Sequence, residues 1–129
     1  MKYFYLVILV IALGSCSPEN MLNKKLNGEW TLISINDKNL DSNYSKTARF
    51  SKDGVGGDVL YTINDNGNIK TQTGKYALIK SQSISTAFKN DQFGSGYETE
   101  VFDFTKSTDT DLTLTQQGNI NNVFIYKKK

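Results

Sequence analysis

The chain has 129 residues, 15 basic against 13 acidic, and a formal net charge of +2. That near balance argues against a strongly electrostatic partner such as nucleic acid. With no histidine and a single cysteine, Ser-His and Cys-His nucleophile pairs, most zinc sites and any intramolecular disulfide are excluded.

In chain order, the first feature is a leader. Lys2 precedes an apolar run from Tyr3 to Leu13, which as a helix would reach roughly 16 Å at ~1.5 Å per residue. A bilayer core of roughly 30 Å needs about 20 residues, so the run is too short to span it. A positive start, an apolar stretch of this length and small residues behind it predict a secretory signal over residues 1–15. Leu13-Gly14-Ser15-Cys16 resembles the lipobox of bacterial lipoproteins: an aliphatic residue, two small residues, then cysteine. The resemblance implies cleavage before Cys16 and acylation of its thiol. Two or more acyl chains hold a protein at a membrane at ~0.8 kcal/mol per buried methylene. Ser17 follows, where an aspartate would suggest inner-membrane retention, so the sorting rule of that family implies the outer membrane. Which face of that membrane the protein occupies is left open. Residues 16–27 are polar with sparse apolar positions and read as a tether.

From Gly28 to the end, no window of a dozen residues has helical period and good helix formers. Short segments rich in Thr, Ile, Val, Tyr and Phe alternate with Gly, Asn, Asp and Ser, which is the signature of strands and turns. The first is Gly28–Ile35, with Trp30 and Leu32 on one face and Ile33 and Ile35 on the other. Further strands are expected around 45–51, 59–63, 69–73, 75–79, 83–89, 97–105, 112–115 and 122–126. Asn66-Gly67 between two of them predicts a hairpin, because both residues tolerate positive φ. This spacing, with the one proline (Pro18) ahead of all the strands, predicts a single all-β domain over residues 28–129. An antiparallel barrel or a β-sandwich would satisfy it.

Gly28-Glu29-Trp30, entered through Leu26, resembles the G-x-W signature that opens the first strand of lipocalins. Phe50-Ser51-Lys52-Asp53-Gly54, Gly74-Lys75-Tyr76 and the terminal Val123–Tyr126 strand resemble pieces of small bacterial lipocalin-like lipoproteins. The resemblance implies an eight-stranded up-and-down barrel with Trp30 packed across its closed end. The chain departs from the pattern in lacking a T-D-Y motif. Its only arginine, Arg49, also lies far from the last strand.

Several residues could carry function. Glu98 and Glu100 share a strand face with Phe102 and Phe104 and could be a desolvated carboxylate pair, but a solvated stripe is the commoner arrangement. Asp53 with Asp58, and Asp109 with Asp111, suit turns better than a cation, so neither a metal nor a cofactor is expected. The Lys127–Lys129 tail more often keeps a strand end soluble than it meets headgroups. The reading is therefore a non-enzymatic, membrane-anchored envelope protein carrying a small apolar or amphipathic ligand. Trp30, Tyr76, Phe102 and Phe104 are the expected barrel or pocket wall, and Phe93 is expected at the mouth. The alternative is a filled barrel acting as a scaffold, whose loops meet an unspecified protein or envelope partner. An eight-stranded barrel has room for either, since its interior is filled by its own side chains or holds one small ligand.

Overall fold

The computed structural model describes residues 17–89, 97–118 and 121–129. One helix, α1 (Pro18–Leu26), precedes nine strands: β1 (Gly28–Ile35), β2 (Lys38–Asn39), β3 (Tyr44–Asp53), β4 (Gly56–Asp65), β5 (Asn68–Ile79), β6 (Ser83–Lys89), β7 (Tyr97–Ser107), β8 (Asp111–Gln116) and β9 (Val123–Lys128). All pairings are antiparallel, each barrel strand pairs with its neighbour in sequence, and β1 pairs with β9. The result is a closed eight-stranded up-and-down barrel. β2 is a short extra strand on β1, pairing Ser34 with Asn39 and Ile35 with Lys38. Closure excludes the sandwich and removes the free sheet edges that would template aggregation.

Register fixes which side chains enter the lumen, because side chains alternate across a strand. Trp30 and Leu32 of β1, Ala48 and Phe50 of β3, Tyr76 and Leu78 of β5, and Leu112 and Leu114 of β8 are all buried. Val59, Ile84, Phe102 and Tyr126 complete the barrel core from β4, β6, β7 and β9. Register places the ends of the barrel as well. Gly28 of β1 pairs with Phe50, Gly56 of β4 with Ala77, and Ser107 of β7 with Leu112. These residues and the turns beside them belong to one end, and the β4–β5 turn, with the paired residues Lys89 and Tyr97, and Thr115 and Val123, belongs to the other.

The first end is plugged by α1, which forms within the stretch that the sequence reads as a tether. Ser17 caps the helix by accepting from the Asn20 backbone N–H at 3.2 Å, Pro18 occupies the first turn and Glu19 faces the positive helix terminus. Nine residues are too few for a stable isolated helix, so docking decides the matter. Leu26 and Asn23 are buried against the barrel. Asn23 Nδ2 donates to the carbonyls of Gly54 and Gly56, each at 3.0 Å, and its Oδ1 accepts from the Tyr76 hydroxyl at 2.5 Å. The Trp30 indole donates to the Leu26 carbonyl at 2.8 Å, and Lys128 Nζ donates to Lys25 O at 3.0 Å. Two carbonyls that the helix terminus leaves unpaired are satisfied in this way.

The segments expected at 69–73 and 75–79 form one strand, because Gly74 continues the ladder between Val59 and Phe88. A side chain there would meet Phe88 Cδ1 and the Ala87 carbonyl at 2.6 Å, so the glycine makes room for the Phe88 ring. The Asn66-Gly67 hairpin forms as expected, with φ of 55° and 88° at its two residues and the Gly67 N–H donating to Asn64 Oδ1 at 3.0 Å.

Candidate functional site

Above the packed core, toward the end opposite α1, the described residues line a cup of about 260 Å³. Its floor is Phe102, Leu114 and Tyr126, all buried. Aromatic walls rise from it in two pairs. Tyr61 and Phe88 lie with ring centroids 4.7 Å apart, and Phe102 meets Phe124 edge-on at 5.8 Å. Both geometries are favoured aromatic contacts, worth ~0.5–1.5 kcal/mol beyond area burial.

Polar groups occupy the next inward position on several strands. Lys46 extends from β3, Gln72 from β5, Glu98 and Glu100 from β7, and Gln116 from β8. The Lys46 ammonium lies 4.0 Å from the centroid of the Tyr61 ring, a cation–π contact. Burial pushes its pKa down, and the negative field of Glu100 partly restores it. Glu100 accepts a long hydrogen bond from Gln116 Nε2 at 3.4 Å. Among the described residues no ion pair joins Lys46 to either glutamate. The two ion pairs found, Lys75–Asp58 and Lys129–Glu29, are both on the outer surface.

The phenols of the cup are held protonated. Burial raises the pKa of Tyr61 and of Tyr126, with Glu100 adding to both. Neither hydroxyl has a hydrogen-bond partner among the described residues, yet no buried side-chain polar atom there is sealed off unpaired. The opening available to the Tyr126 hydroxyl is therefore the cup that its ring lines.

The expected site residues separate along the barrel axis. Phe102 forms part of the cup floor. Trp30 and Tyr76 point into the lumen but belong to the plugged end, where Trp30 is 1% exposed and Tyr76 bonds Asn23; neither lines the cup. The pKa of Tyr76 is raised to about 12, chiefly by burial. Phe104 packs on the core without reaching the cavity. Phe93 and Cys16 lie outside the described residues. Glu98 and Glu100 face inward rather than outward, but at the open rim, so both remain exposed.

Lys46, Gln72 and Gln116 are among the cup residues that sequence reasoning passed over. Single polar residues in strands give no signal until the pairing register is known. Among the described residues, no three metal-ligating side chains converge, and no helix is long and apolar enough to cross a membrane. A second hollow of about 510 Å³ lies at the rim between the β1–β3 connection and the end of β4. It is shallow. No protein-family model matches the chain, and no curated protein matches it in sequence.

Proposed function

We propose that the protein is a membrane-tethered, lipocalin-like carrier of a small amphipathic molecule in the bacterial envelope, without catalytic activity. The observation that carries this reading is the cup, an aromatic-floored cavity in a barrel whose other half is solidly packed. Ligand sites are concave and combine apolar walls with placed polar groups. The cup sets Tyr61, Phe88, Phe102, Leu114, Phe124 and Tyr126 beside an equal number of polar side chains, a lining that suits an amphipathic ligand better than a purely apolar one. Its volume lies just under the ~300–1,000 Å³ of drug-sized sites, so a small ligand suits it better than a long acyl chain.

An acyl anchor at Cys16 is compatible with this geometry. Ser17, the next residue, caps α1 at the plugged end, so anchor and mouth would lie at opposite ends and the membrane would not block entry.

Native mass spectrometry of the purified protein tests the carrier reading. A reproducible adduct, or a shift after incubation with a panel of lipids and small amphiphiles, is the expected result. A clean mass unshifted by the whole panel would refute it and return attention to partner binding through the rim. Cys16→Ala tests the anchor: the variant should leave the membrane fraction, and retention there would exclude lipidation as the tether.

A further inference from the structure

The charges of the cup are arranged as well as present. Around the closed barrel the strands run β1, β3, β4, β5, β6, β7, β8, β9 and back to β1. Lys46 on β3 and the glutamates on β7 are four strands apart in a ring of eight, on opposite walls. Glu100 pairs with Thr86 and Glu98 with Phe88 on β6, while Lys46 pairs with Ile63 on β4. The cation and the carboxylates therefore face each other across the cavity without closing on each other.

This arrangement sorts ligands. A simple fatty carboxylate would satisfy Lys46 while meeting two glutamates opposite. A simple amine would satisfy the glutamates and leave the partly desolvated ammonium of Lys46 without a counter-ion. Complementary charges at both ends satisfy both walls, and electrostatic complementarity of this kind chiefly sets specificity. Between the walls lies the apolar floor, with the unpartnered Tyr126 hydroxyl, itself almost wholly buried, free to donate to an acceptor in the middle of the ligand.

We infer that the cup takes a short zwitterionic amphiphile with a carboxylate at Lys46, an ammonium at Glu98 and Glu100, and an apolar body over Phe102 and Leu114. This rests on the cup being the binding site. The chemistry is that of a free dipeptide with one apolar side chain. Its charged ends are separated by about 7 Å at ~3.3–3.6 Å per extended residue, and its central amide supplies the acceptor for Tyr126.

Four probes with one body isolate the effect: glycylleucine, its N-acetyl form, its C-terminal amide, and the doubly blocked compound. Each is titrated into the full processed protein at pH 7 and followed by the tyrosine NMR signals. The free dipeptide is expected to bind at least about tenfold more tightly than either singly blocked form. Lys46→Met should abolish only the advantage of the free carboxylate, and the double change Glu98→Gln with Glu100→Gln only that of the free amine. Equal affinity for all four probes would overturn the inference and leave a charge-indifferent carrier. Failure of all four to bind overturns it too. With a lipid adduct in native mass spectrometry, that failure would spare the carrier reading; without one, both fall. The wild-type comparison needs no variant, so a misfolded mutant does not blunt the test.

Discussion

Asn23→Ala should destabilise the protein by about 3 kcal/mol. Asn23 is fully buried, and its amide makes three hydrogen bonds, to Gly54 O, Gly56 O and the Tyr76 hydroxyl. A typical hydrogen bond contributes about 1 kcal/mol net, and leaving buried partners unpaired costs as much or more. Three such losses give about 3 kcal/mol. At about 4 °C per kcal/mol for a chain of this size, the melting temperature should fall by about 12 °C. Urea and thermal unfolding followed by circular dichroism measure this directly. Lys24→Ala, on the exposed face of the same helix, is the control and should change stability by less than about 0.5 kcal/mol. Tyr76→Phe should cost about 1 kcal/mol alone and much less in the Asn23→Ala background, because the two changes remove the same bond. If Asn23→Ala unfolds like the wild type, α1 is not docked in solution, and residues 17–27 are the tether that their composition suggests.

Three further outcomes follow from the same geometry. Gly74→Ala should cost about 1–3 kcal/mol by overpacking, and adding Phe88→Ala should not restore stability, because the Ala87 carbonyl blocks the new methyl as well. Above pH 10 the barrel should lose stability. Tyr61, Tyr126 and Tyr76 have folded pKa values raised above 10, so their contribution is complete below pH 10 and is lost as pH rises toward those values. Tyr61 and Tyr126 should each add up to about 1.4 kcal/mol per pH unit to that slope, and Tyr126→Phe should make it shallower. An unchanged slope in that variant would contradict its burial. Lys46→Met should leave stability at pH 7 unchanged or slightly higher. Folding lowers the pKa of Lys46, so carrying its charge opposes folding below that pKa, and the penalty fades as pH rises toward 10.5. A loss of more than about 1 kcal/mol would mean that the contact with Tyr61 outweighs desolvation.

How much of this was legible in the sequence depends on which interactions decide each part. The strands were readable because Gly28–Ile35 and Ser83–Lys89 carry β-branched and apolar residues between turn formers, and both match the observed bounds. Gly74 broke one strand in two on paper, since the reason for a glycine there is the Phe88 ring on the neighbouring strand. The helix carried a signal in Ser17-Pro18-Glu19, a cap followed by a first-turn proline and an acid. Its composition suggested solvent, however, and it is tertiary contacts, chief among them those of Asn23 to groups 31 to 53 residues away in sequence, that make it part of the fold.

The cup obeys a rule that becomes visible once register is known. On β3 the inward residues run Phe50, Ala48, Lys46 from the plugged end to the mouth. On β5 they run Leu78, Tyr76, Gly74, Gln72, on β7 Phe104, Phe102, Glu100, Glu98, and on β8 Leu112, Leu114, Gln116. Each of these four strands carries apolar residues toward the plugged end and a polar residue at the cup on the same face, whereas β4, β6 and β9 bring Tyr61, Phe88 and Phe124 to the cup. A barrel filled along its whole length would have no reason to do this, because burying these groups costs free energy unless they are paired. A cavity wide enough to admit water makes the switch tolerable, and a ligand with polar ends makes it useful. The position of the switch sets the floor of the cup, and the sign of the residue beyond it, positive on β3 and negative on β7, sets which end of a ligand each wall can meet.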